Sequence, residues 1–113
     1  MSEGYIAVDL DGTLAKYNGD HTVIGDPIPL MMDRVRRWLR EGTKVKIFTA
    51  RASDPKQLPL IKQWLKDHDL EDLEITNEKT PDMIAFWDDR ARQVRKNSGE
   101  RVGESLARRL IEG

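Results

Sequence analysis

The sequence predicts an α/β fold built on a small parallel sheet. Three observations carry that expectation. Short strand-like apolar runs alternate with segments whose apolar residues recur at helical spacing. The runs at 5–8 and 83–87 are apolar throughout, as strands covered on both faces are. A chain of 113 residues makes one domain, large enough for a real core but small for an α/β enzyme.

Taken in order, residues 5–8 (Tyr-Ile-Ala-Val) read as a buried strand. Residues 15–29 read as irregular, because Asn18-Gly19 signals a turn and Asp26-Pro27-Ile28-Pro29 resists helix. Leu30, Met31, Val35, Trp38 and Leu39 then fall on one helical face, with Arg34, Arg36, Arg37 and Arg40 largely on the other and Gly42 as the stop. Residues 44–49 form a second strand. Asp54-Pro55 opens a helix that becomes regular near Pro59, with Leu58, Ile61, Trp64 and Leu65 as its apolar face. Residues 73–76 give a short third strand interrupted by Glu74, and residues 83–87 a fourth. Helices are expected at 89–96, ended by Ser98-Gly99, and at 104–111. Such an alternation implies helices on both faces of the sheet.

Composition narrows the function classes. Hydrophobic residues are 38% and charged residues 35%, and 19 Lys+Arg nearly cancel 20 Asp+Glu. No global basic field therefore draws the chain to nucleic acid or membrane. The absence of Cys excludes disulfides, thiolate metal sites and a cysteine nucleophile. His21 and His68 sit in polar contexts typical of surface histidines. No apolar stretch approaches the ~20 residues of a membrane span, and the strand near the first residue leaves no room for a signal peptide. A cytoplasmic location is the expectation.

In open parallel sheets, ligands bind beyond the carboxyl ends of the strands. Those four ends carry Asp9 and Asp11, then Thr49, then Thr76-Asn77-Glu78-Lys79, then Asp88-Asp89. Two acidic clusters, a hydroxyl and a lysine are thus directed to one edge. This set suits phosphoryl transfer. A phosphate ester repels an anionic nucleophile unless its oxygens are neutralised, which a divalent cation and a lysine achieve. Mg²⁺ is a hard cation that takes carboxylate oxygens and keeps several waters. Asp9 with one carboxylate of Asp88-Asp89 would hold it, and Lys79 would add positive charge. Thr49 would donate to a phosphoryl oxygen. Asp9 would be the nucleophile, and Asp11 would protonate the leaving alcohol and then activate water. Gly12 lets the chain turn and brings backbone N–H groups near the phosphate, and Thr13 can lock that turn.

Blander readings compete. Asp-x-Asp-Gly is also a calcium-loop composition, but Leu14, Ala15 and Lys16 follow where further ligands are needed, and a strand precedes. Lys79 alone would be a solvated lysine, Asp88-Asp89 could cap a helix, and Trp87 is most simply a packing residue. A phospho-accepting receiver module shares this chemistry, but its acidic pair is adjacent and its acceptor ends the third strand. Here Asp9-x-Asp11 replaces the pair, and the third strand ends in Thr76-Asn77.

Asp9-Leu10-Asp11-Gly12-Thr13, Thr49 after its strand, Lys79, and Asp88-Asp89 after theirs resemble, in order, the four motifs of the haloacid dehalogenase-like superfamily. The resemblance spans nearly the whole chain. It implies a Rossmann-like three-layer sandwich, Mg²⁺ dependence and phosphomonoesterase activity through an aspartyl-phosphate on Asp9. It also implies that the Asp11 carbonyl is a metal ligand and that Asp89 contacts the metal directly, with Asp88 behind it. Residues 11–19, Thr49-Ala50-Arg51 and Asp88-Asp89-Arg90 are further similar to the phosphatase domain of phage polynucleotide kinase/3′-phosphatases. This suggests Arg51 as a substrate-side cation, with Lys16 and Gly12 also on the substrate side. The chain has no kinase P-loop.

Members of the superfamily usually carry a cap after the first motif or between the second and third. Here the first gap, 14–30, is too short and Pro-rich for a folded cap, and the second, 50–76, is filled by one helix and a strand, so the chain resembles a capless phosphatase. An open site favours a large substrate, or a homo-oligomer in which a neighbouring subunit forms the lid. The expected substrate is a phosphorylated small molecule, with a nucleic-acid 3′ end as the alternative and a non-enzymatic phospho-acceptor module as a lesser one. A phosphomutase would need to exclude water, which an open site does poorly.

Overall fold

The computed structural model describes residues 4–103. Strand β1 (Tyr5–Asp9) leads through a long loop to helix α1 (Pro29–Arg40), strand β2 (Lys44–Phe48), a 3-10 turn (Ala50–Ser53), helix α2 (Leu58–Asp67), strand β3 (Glu74–Thr76) and strand β4 (Met83–Trp87). The strands form one sheet in the order β3-β2-β1-β4, and every pairing is parallel. This is a small Rossmann-like α/β fold, as the alternation of elements predicts.

Pleating explains the core. Ile6 pairs with Val45 and Val8 with Ile47, so these side chains share one face of the sheet. Val8, Val45 and Ile47 join Met31, Val35 and Trp38 of α1 and Ile61, Trp64 and Leu65 of α2 in one apolar cluster. Both described helices therefore feed the same core, so among the described residues they lie on one face of the sheet and not, as the alternation implies, on both. The topology accounts for this: β1 to β2 and β2 to β3 step in the same direction, and right-handed crossovers put both helices on one side. The return from β3 to β4 passes β2 and β1 in a short loop without a helix. On the opposite face the described residues place Phe48 against Phe86 (4.8 Å between centroids) and the Lys46 ammonium over the Tyr5 ring (4.1 Å). Ile47 is fully buried beneath the helices. Ile47→Ala is expected to cost about 2–5 kcal/mol, read as a lowered urea midpoint with an unchanged slope.

Of three sequence expectations, one is corrected, one holds and one is overturned. Glu74 does not interrupt β3: it pairs with Lys46 in register and its carboxylate meets the Lys46 ammonium at 2.9 Å, so it is a cross-strand partner. Trp87 packs against Trp38 of α1 (5.2 Å), the packing role expected of it. The helix expected at 89–96 is absent. This stretch runs as bends and turns closed by a bridge between Val94 and Arg101. Its sequence holds only Ala91 and Val94 as apolar residues among four cations, too little for an apolar face, and tertiary burial is what sustains a short helix. The helix expected at 104–111 lies outside the described residues. No helix among the described residues is long and apolar enough to cross a membrane.

Candidate functional site

The loop after β1 is built by its own backbone. Leu14 and Ala15 N–H groups return to the Leu10 carbonyl (3.0 and 2.8 Å), and the Gly12 N–H donates to Ala15 O (2.8 Å). Leu10 and Leu14 are fully buried, so the turn is anchored on both sides while Asp9, Asp11 and Gly12 stay partly exposed. Gly12 has φ +90°, a conformation that disfavours any Cβ. A Cβ there would also lie 2.6 Å from Asp89 Oδ2. Gly12→Ala is therefore expected to cost about 1–3 kcal/mol and to displace the Asp89 carboxylate, seen as a lower melting temperature.

Because β4 pairs with β1, the end of β4 brings Asp88 and Asp89 beside Asp9. One carboxylate oxygen from each of the three lies within 4.8 Å of the others. Thr13 fastens this junction: its hydroxyl oxygen accepts from the Asp89 N–H (3.0 Å). Its O–H is within reach of both Asp89 Oδ1 (3.3 Å) and Asp9 Oδ2 (3.4 Å). The crowding is reflected in Asp9. Burial first, then the neighbouring Asp88 and Asp89 charges, push its carboxyl up to about 8. A half-buried acid flanked by two others retains its proton unless a cation balances the charge. The donor set is all oxygen, which suits a hard divalent ion such as Mg²⁺. The fit rests on both the convergence and the proton-holding Asp9.

Asp9, Asp11, Asp88 and Asp89 line one open cavity of about 750 Å³ together with Tyr17, His21, Ala50, Arg51 and Arg90. Other expected site residues are placed differently. Thr49 is almost fully buried at the end of β2, where its Oγ1 accepts from the Arg51 N–H (3.1 Å) and caps the 3-10 turn. Lys79 is exposed and sits over the Phe86 ring (5.5 Å), and it does not line the cavity. Lys16 is exposed on an adjoining groove with Asn18, Val23 and Asp26. Lys79 lies in the loop beyond β3 and its ammonium follows the Phe86 ring, a neighbour that sequence position alone does not reveal.

Arg51 departs most from expectation. It is buried, not free at the substrate side. Its Nε and Nη2 donate to Asp11 Oδ2 (2.7 Å) and Oδ1 (2.9 Å). Nη1 donates to His21 O (2.7 Å) and Gln57 Oε1 (3.0 Å), and Nη2 also to Val23 O (2.8 Å). A guanidinium has five N–H donors, and all five are engaged within the protein. The bidentate grip expected on a phosphate is made on Asp11 instead. Sequence reasoning missed Gln57 and the carbonyls of His21 and Val23, for which no local signal exists. His21 lines the cavity, while His68 packs on Trp64 (4.5 Å).

No protein-family model and no curated protein matches the chain. Among solved structures, it is similar to a conserved protein coded by a locus of Bacteroides thetaiotaomicron, with a TM-score of 0.62 and 22% identity over 77% of this chain and 76% of that one. The likeness supports the α/β fold.

Proposed function

We propose that the protein is a Mg²⁺-dependent phosphomonoester hydrolase of the haloacid dehalogenase-like type. The observation that carries the reading is the convergence of Asp9, Asp88 and Asp89 at adjacent strand ends, with Asp11 beside them on the same cavity but outside their cluster. One carboxylate placed to attack and a second placed to move a proton is what two-stage ester hydrolysis requires.

Asp9, Asp88 and Asp89, with the Asp11 carbonyl, would hold Mg²⁺, which when bound neutralises phosphoryl oxygens and orients the ester. An Asp9 oxygen forms the new bond to phosphorus as the ester P–O bond breaks, and Asp11 gives its proton to the departing alcohol. A water then attacks the aspartyl-phosphate and yields a proton to Asp11, releasing phosphate and restoring the Asp9 carboxylate. Thr49 supports this centre by capping the turn that carries Arg51. Lys79 would need a side-chain rearrangement to reach the phosphate.

The cavity is open, with Tyr17, His21 and Arg90 at its lining, which supports access for substrates larger than a simple metabolite. The test is phosphate release from a broad panel of monoesters, including a 3′-phosphorylated oligonucleotide, with Mg²⁺ and with Asp9→Asn as control. Turnover by the wild type alone supports the reading. Equal background from both proteins across the panel overturns it.

A further inference from the structure

We propose that Arg51 is a positioning residue that keeps the Asp11 carboxylate apart from the three clustered carboxylates and couples it to the loop walling the cavity. The inference rests on the phosphatase reading, within which it separates the acid/base group from the metal-binding ones.

Four carboxylates line one cavity, yet only those of Asp9, Asp88 and Asp89 converge. Asp11 is two residues from Asp9 and is free in principle to turn toward the same cation as a further ligand. The guanidinium prevents this by holding both Asp11 oxygens in a planar fork. Each carboxylate oxygen has two acceptor sites, so the fork leaves one on each oxygen for a proton exchanged with the leaving group or water. The fork itself is rigid. Arg51 begins at a capped turn, its N–H bound to Thr49 Oγ1, and its side chain is 7% exposed.

The remaining donors tie the same guanidinium to His21 O and Val23 O. Gln57 closes a ring by accepting from Arg51 and donating to His21 O (3.1 Å). Trp64 Nε1 of α2 holds Gly25 O (2.9 Å). The loop that carries Tyr17 and His21 to the cavity is therefore fastened to the residue that orients Asp11. A lysine at position 51 would keep the charge and lose the fork.

The experiment compares wild type, Arg51→Lys and Gln57→Ala on an alkyl phosphate and on 2,4-dinitrophenyl phosphate, reading the first-turnover burst of released alcohol or phenol. Proton donation matters for a poor leaving group and hardly for a good one. Arg51→Lys is expected to slow the alkyl ester at least about tenfold more than the dinitrophenyl ester, with little change in KM. Gln57→Ala is expected to show a weaker form of the same pattern, and it carries the test if Arg51→Lys folds poorly. In an Asp11→Asn background, Arg51→Lys should add no further loss. Equal slowing of both esters, or undiminished loss in the Asp11→Asn background, overturns the positioning role. A raised KM for all esters would instead make Arg51 a phosphate ligand. Failure of the wild type to turn over either ester overturns the phosphatase reading itself.

Discussion

Replacing Asp9 by Asn is expected to lower phosphate release by about 10⁴-fold or more while raising the thermal stability of the metal-free protein. The two effects have separate causes. In the proposed mechanism the amide is nearly isosteric but cannot form the acyl phosphate, so the first displacement would be lost. Stability rises because burial first, and then the neighbouring Asp88 and Asp89, push the carboxyl up to about 8, and an amide that never ionises avoids that cost. Steady-state assay with a phosphomonoester and a thermal melt in chelator test both parts together. Lost activity with a lowered melting temperature would point to misfolding rather than to a missing nucleophile. Retained activity would remove Asp9 from the chemistry.

On the proposed reading, removing Mg²⁺ is expected to abolish turnover, by about 10³-fold or more, and to leave a protein whose stability falls as pH rises. The sign follows from Asp9. Its pKa is about 8 in the folded chain against 3.8 for the ordinary group, so the folded state holds the extra proton between those values. Stability from this group therefore declines as pH climbs from about 4 to 8. A bound divalent cation displaces that proton, so Mg²⁺ affinity should increase over the same interval and binding should release protons. At a Mg²⁺ concentration 100-fold above the Kd, stabilisation is about 2.7 kcal/mol, or on the order of 10 °C for a domain of this size. Melts at several pH values with and without Mg²⁺ test this, and Asp88→Asn should raise the metal-free melting temperature while blunting the Mg²⁺ response. A melting temperature indifferent to Mg²⁺ at pH 8 would count against the cation site.

Much of this centre was legible along the chain because its signals are local. Two aspartates at the end of an apolar run, followed by Gly12-Thr13, need only the strand and the turn to be placed. The same holds for Asp88-Asp89 after 83–87. Local pattern was misleading where tertiary burial decides: residues 89–96 have helix-forming composition but no apolar face to bury, and they run as irregular chain. Glu74 looked disruptive because its partner Lys46 lies far away in sequence and adjacent only in the sheet.

The sequence by itself determined the ingredients: an α/β alternation, four strand ends with acidic or hydroxyl residues, and a turn that only Gly12 can make. Which ingredients meet was decided by the tertiary structure. Inserting β4 beside β1 brings Asp88 and Asp89 to Asp9 across nearly 80 residues of sequence, and their mutual repulsion in a half-buried site is what supports the proposed cation site. The same packing turns Arg51 inward, because a buried guanidinium must satisfy five donors and Asp11, Gln57 and two loop carbonyls are the acceptors within reach. That choice depends on distances no sequence pattern encodes.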